Sequence, residues 1–180
     1  GIDVQLGIDA AASEFYAHGE YTIAPPTKTY DPEKLSELYE RWIDEYQLVS
    51  IEDPFAEDAW NEWSAFTARV VPREIMVIGD DLLVTNKKRL QQGIDKKAMN
   101  AILVKPNQIG SLTETIAVIK LAQKHGITVV ISHRSGETND AFISDLAVAV
   151  GAEYLKAGAP DRGERVAKYN RLMEIERGAF

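Results

Sequence analysis

The stretch AILVKPNQIG, residues 101–110, decides the fold. Four apolar residues run straight into Lys105, and Pro106 follows. An apolar run this short reads as a buried strand of a parallel sheet. The strand therefore ends on an ammonium group. The same design recurs along the chain in VQLGID (4–9), LVSIE (48–52), IMVIGD (75–80), ITVVIS (127–132) and, more weakly, EYLK (153–156). The polar residues at or just past these ends are Asp9, Glu52, Asp80, Lys105, His133 and Lys156.

Segments with helical spacing lie between the runs. Residues 31–46 open on Asp31-Pro32, a cap signal, and place Leu35, Leu38, Tyr39, Trp42 and Ile43 on one face. Residues 57–70, 86–97, 112–125, 139–150 and 162–177 follow, with Pro72, Gly93, Gly126 and Gly151 as punctuation. Residues 17–30 read as a long loop with a small hairpin around Tyr21–Ile23. One strand, one helix and two short loops take roughly 25 residues, and the polar ends recur at about that interval once this loop is allowed for. Alternating strands and helices predict a parallel α/β sheet in one domain. A doubly wound sheet would carry a glycine-rich phosphate loop, and neither GxGxxG nor GxxxxGK[ST] occurs. A (β/α)8 barrel fits better, since its strand ends converge on one mouth. Six units leave such a barrel open, and two more are expected upstream.

Composition narrows the function classes. The chain has 180 residues, 45% of them hydrophobic, and a net charge of -8. That acidity argues against a nucleic-acid or anionic-membrane partner. No run approaches the ~20 apolar residues that span a bilayer. The absence of cysteine excludes disulfides and thiolate metal sites and fits a cytoplasmic location. The chain begins with glycine and no lead-in, as a fragment or processed product would.

If the strands are neighbours, Asp9, Glu52 and Asp80 converge. Three close carboxylates repel unless a cation or proton lies among them, and all-oxygen ligation favours a hard ion such as Mg²⁺. Each acid could instead cap a helix. Asp53 follows Glu52 and Asp81 follows Asp80, so the pattern leaves the liganding member of each pair open. Lys105 and Lys156 oppose the acids, either as functional amines in a desolvated mouth or as structural counter-ions. SHRSGET (132–138) adds a dense polar loop. There Arg134 could clamp a phosphate or carboxylate, Ser135 could donate a hydroxyl, and Gly136 could let backbone N–H groups approach an anion. His18 and His125 lie in a loop and at a helix end and have no such company. Trp60, Trp63, Phe55 and Phe66 read as packing, and Lys87-Lys88-Arg89 as a solvated helix start.

The segments GIDAAASEF, SIEDPFAEDAW, GDDLLVTN, LVKPNQIGSLTET, SHRSGETND and KAGAPDRGERVAKYNRL, in this order, resemble the enolase (phosphopyruvate hydratase) family across essentially the whole chain. The resemblance implies a TIM barrel of which residues 1–180 are the last six βα units, with an N-terminal α+β domain and the first barrel strands absent. It implies Mg²⁺-dependent, reversible dehydration of 2-phosphoglycerate to phosphoenolpyruvate by the complete protein, a cytoplasmic glycolytic lyase and homo-oligomer. By resemblance, Asp9, Glu52 and Asp80 match the Mg²⁺ ligands and Lys105 the base at C2. His133, Arg134 and Ser135 match the substrate and phosphate loop, and Lys156 the lysine that holds the substrate carboxylate. A lysine or histidine base with Mg²⁺ is the known pattern of this superfamily. The family's general acid comes from the early barrel, so the 180 residues alone are expected to be inactive. The alternatives are a non-catalytic enolase-like module acting by binding, or another superfamily member. Those members usually carry their lysine base in a KxK motif on an earlier strand, so SHRSGET favours enolase proper.

Overall fold

The computed structural model describes residues 4–178. The chain runs β1 (Leu6–Asp9), a 3₁₀ turn (Ala12–Phe15), β2 (Tyr16–Ala17), β3 (Glu20–Ile23), β4 (Lys28–Tyr30), α1 (Pro32–Tyr46), β5 (Leu48–Glu52) and α2 (Trp60–Val70). It continues through β6 (Met76–Gly79), α3 (Lys87–Lys96), β7 (Ala101–Val104), a one-turn α4 (Pro106–Ile109), α5 (Leu112–Lys124), β8 (Thr128–Ser132), α6 (Phe142–Val150), β9 (Tyr154–Lys156) and α7 (Gly163–Glu176). Six strands form one sheet in the order β1-β5-β6-β7-β8-β9, every pair parallel. This is a curled half-barrel, six strands of a TIM barrel. The segment read as a loop with a hairpin is a three-stranded antiparallel sheet, β2-β3-β4.

Helix boundaries follow local chemistry. Asp31 caps α1 by accepting the Lys34 N–H at 2.8 Å, with Pro32 in the first turn, and Gln47 ends the helix in a left-handed conformation. Asn86 caps α3 through the N–H groups of Lys88 and Arg89. Two helices start later than their spacing predicts. At α2, the Ala59 N–H turns back to the Ala56 carbonyl. At α6, Asp140 takes the Phe142 N–H at 2.8 Å.

The sheet is buried on both faces, which is why its inner strands read as unbroken apolar runs. Along β7 and β8, Ile102, Val104, Val129 and Ile131 join the large core beneath the helices. Ala101, Leu103 and Val130 alternate with them and pack with Ile78 in a smaller core inside the curl. Each such aliphatic side chain contributes about 1.5–3 kcal/mol when fully buried. Tyr21, Tyr39, Phe55 and Phe66 form an edge-to-face cluster with ring centroids 5.6–6.2 Å apart, and Trp63 is fully buried. The Tyr21 hydroxyl accepts the Ala56 N–H at 3.0 Å, pinning the small sheet to the segment after β5. Trp60 lies under the Arg89 guanidinium, 5.2 Å away.

Strands β1 and β9 are the two edges of the sheet, and both are partly exposed. A cavity of about 490 Å³ opens between them, with Asp9, Glu52 and Lys156 at its polar end. Among the described residues, no helix is long and apolar enough to cross a membrane.

Candidate active site

The parallel register carries the polar residues to one end of the sheet. Asp9 lies opposite Glu52, and Ser132 opposite Lys156. Lys156 reaches from one edge strand to the other. Its ammonium donates to Asp9 Oδ2 at 2.8 Å and to both Glu52 oxygens at 2.8 and 2.9 Å. Lys105 pairs with Asp80 Oδ2. The structure thus joins Asp9, Glu52 and Lys156 in one group and Asp80 and Lys105 in a second beside it. Burial pushes Glu52 up to about 7 against the pull of Lys156. Burial works the other way on Lys156, yet its bonds to Asp9 and Glu52 hold the ammonium above its ordinary value.

Asp53 behaves differently from Glu52. Its backbone is left-handed, at φ 43°, and its carboxylate turns back to accept the N–H groups of Asp80 at 3.0 Å and Asp81 at 2.8 Å. It braces the end of β5 to the end of β6. Burial pushes it up to about 8 despite those bonds. Ala11, Val84 and Thr85 also have positive φ beside these strand ends. For a β-branched residue that conformation is an outlier of order 1–3 kcal/mol. At Thr85 it brings Oγ1 to within 2.9 Å of the Lys105 N–H, while the hydroxyl donates to Gln108 at 2.9 Å. The strained Thr85 thus ties the segment after β6 to the backbone of Lys105.

The loop after β8 is held from within and from α7. Glu137 Oε1 accepts the Arg134 N–H at 3.0 Å, and Oε2 the Thr138 N–H at 3.2 Å. Two of the loop's backbone donors, those of Arg134 and Thr138, are thereby used by the chain's own carboxylate. Lys168, fully buried on α7, donates to Glu137 Oε2 at 2.8 Å and to the Thr138 and Glu164 carbonyls at 2.7 and 2.8 Å. Burial alone would raise Glu137, but Lys168 and the two N–H groups outweigh it and hold the carboxyl below its ordinary value. Arg134 reaches Asn107 Oδ1 at 3.2 Å. The His133 N–H donates to the Lys156 carbonyl at 2.9 Å, tying this loop to β9. Burial, and then the Arg165 charge, lower His133 below an ordinary histidine.

Asp53 stood in the sequence only as the alternative to Glu52 as a ligand, and Thr85, Glu137, Arg165 and Lys168 were not singled out. Arg165 and Lys168 stand three apart on α7, the spacing of one helix face, which was the available signal. Arg89, expected to be solvated, instead donates to the Leu82 and Glu57 carbonyls at 2.5 and 2.6 Å.

The donor set suits a hard divalent ion. Glu52, Asp53 and Asp80 each place a carboxylate oxygen within 4.8 Å of the others, a group that could hold a metal. Asp80 Oδ1 is buried and accepts no hydrogen bond from the described residues, an orphan acceptor that a cation would satisfy. Four carboxylates, those of Asp9, Glu52, Asp53 and Asp80, meet two ammonium groups, so the cluster can take further positive charge.

Fold and site together define an α/β-barrel domain with an acid and lysine cluster at its strand ends. Residues 1–179 match the family described as "Enolase, C-terminal TIM barrel domain". Enolase of a Nitratiruptor species is 51% identical over 175 residues, covering 97% of this chain and 41% of that protein. Enolase of Elusimicrobium minutum is 53% identical over 173 residues, covering 96% of this chain and 40% of that protein. The chain belongs to the enolase family and spans about two-fifths of the length of these relatives.

Proposed function

We propose that this strand-end cluster serves, in the complete protein, the Mg²⁺-assisted, reversible dehydration of 2-phosphoglycerate to phosphoenolpyruvate. The observation that carries the reading is the placement of Lys105 and Lys156 in two adjoining acid groups, each bonded to carboxylates at other strand ends. The proton on C2 lies next to a carboxylate, so removing it places a second negative charge on the same group. Lys156 faces the cluster as a fixed ammonium and would hold that carboxylate electrostatically. Lys105 would take the C2 proton, and must first leave Asp80 and present a free amine. Thr85 fixes its backbone for that task. Asp9, Glu52 and Asp80 would hold Mg²⁺, which when bound would supply positive charge to offset the negative charge that builds on the substrate carboxylate. Asp53 is assigned to bracing, since both its oxygens already accept N–H groups. His133, Arg134 and Ser135 would receive the phosphate and neighbouring substrate oxygens.

The hydroxide leaving C3 needs a proton, and each carboxyl assigned above already has another task, Asp53 in bracing and Asp9, Glu52 and Asp80 toward the metal. We place that acid, with two further βα units and an α+β domain, in the rest of the complete protein, and expect residues 1–180 alone to turn over little substrate. The test is formation of phosphoenolpyruvate from 2-phosphoglycerate and Mg²⁺ by the complete protein. Lys156→Ala should raise KM and lower kcat together. A wild-type protein that forms no phosphoenolpyruvate, or a Lys156→Ala variant with unchanged constants, would overturn the reading.

A further inference from the structure

Arg165, in the first turn of α7, grips three consecutive residues of the loop after β8. Nη1 donates to the Arg134 carbonyl at 2.8 Å and contacts His133 Nδ1, and Nη2 donates to the Ser135 carbonyl at 2.8 Å. Gly158 makes room for this stack. A Cβ there would lie 3.0 Å from Arg165 Cδ and 3.1 Å from His133 Cε1, and its φ is +81°. A guanidinium has five donors, no acceptor, and cannot be deprotonated in a protein. His133 Nδ1 must therefore accept, and the ring proton resides on Nε2.

We propose that Arg165 is a positioning residue of the strand-end mouth, locking His133 as the neutral Nε2–H tautomer while fixing the carbonyls on either side of the Ser135 side chain. The loop then presents a neutral N–H donor in place of a base or an imidazolium. The groups that set the charge around the ring agree with this. Arg165 on α7, Lys156 on β9 and Lys105 after β7 are cations, and Glu137, in His133's own loop, is the sole carboxylate among these neighbours. Only the identity of the acceptor for that N–H, a substrate oxygen, rests on the function proposed above. The tautomer does not.

The test is long-range ¹H–¹⁵N correlation of the imidazole nitrogens in the full-length protein without substrate. The His133 signals are assigned by their loss in His133→Gln. The wild type should show one neutral species protonated on Nε2, which titrates below the ordinary histidine value. Arg165→Met should give mixed tautomers and an upward-moved titration, and Arg165→Lys, which keeps a donor-only cation, should fall between them. A wild-type ring protonated on Nδ1 would overturn the proposal whether or not either variant folds. So would an Arg165→Met protein with unchanged tautomer and titration. Kinetically, Arg165→Met should lose at least ~10-fold in kcat/KM, as partners that orient a functional histidine do, with part restored by lysine. If the tautomer result holds but the wild type does not act on 2-phosphoglycerate, the proposed function fails and the positioning role stands.

Discussion

Replacing Lys168 by methionine removes a charge that the fold has buried and keeps the stem that carries it. The Lys168 side chain is 1% exposed, and its ammonium meets three acceptors, Glu137 Oε2, Thr138 O and Glu164 O. Breaking a buried ion pair from one side costs about 3–5 kcal/mol. The low end applies here. Glu137 is 15% exposed and keeps two N–H donors, while Thr138 is exposed and can be hydrated. We expect about 3 kcal/mol, roughly a hundredfold in the folding equilibrium, read as a fall in the urea midpoint at unchanged m. Adding Glu137→Gln should return at least ~1 kcal/mol, because the stranded charge is gone. The pH dependence has a fixed sign. The folded Glu137 lies below its unfolded value, so its contribution is present above the ordinary carboxylate range and is lost as pH falls through the folded value. Lys168→Met should shrink that acid-side loss. A variant within ~0.5 kcal/mol of wild type, or a double variant no better than the single, would refute the reasoning.

Two more outcomes follow from the same geometry. Calorimetry with Mg²⁺ alone should show a site that is lost in Asp80→Asn and retained in Asp53→Asn, since Asp53 spends its oxygens on backbone N–H groups. Equal loss in both would place Asp53 among the ligands. Tyr21→Phe should cost about 1–3 kcal/mol by orphaning the Ala56 N–H. Tyr39→Phe should be neutral or stabilising, because that hydroxyl is buried without a partner, and thermal melts of the two variants that coincide would contradict this contrast.

The inner strands were legible because burial on both faces writes them as unbroken apolar runs. Their ends, Glu52, Asp80, Lys105 and His133, could be read off directly. The edge strands were harder, since β9 is only partly buried and its three residues carry little periodicity. The β2-β3-β4 sheet was half seen for the same reason, its strands being two to four residues long. The division of labour between Glu52 and Asp53 was not legible. It depends on a left-handed turn at Asp53 that sends its carboxylate to the next strand end. Arg165, Lys168 and Arg89 act on segments about thirty residues away, beyond the reach of any local pattern.

The chemistry proposed for the strand-end mouth depends above all on Lys105 as a base. The direct measurement is exchange of the C2 proton of 2-phosphoglycerate with solvent deuterium, followed by NMR with the complete protein at saturating Mg²⁺. Wild type should exchange, and Lys105→Ala should not. Lys105→Arg should not restore exchange, because a guanidinium stays protonated, with a pKa above about 12. Rapid C2 exchange in Lys105→Ala would contradict the account and leave Lys105 as a structural counter-ion to Asp80.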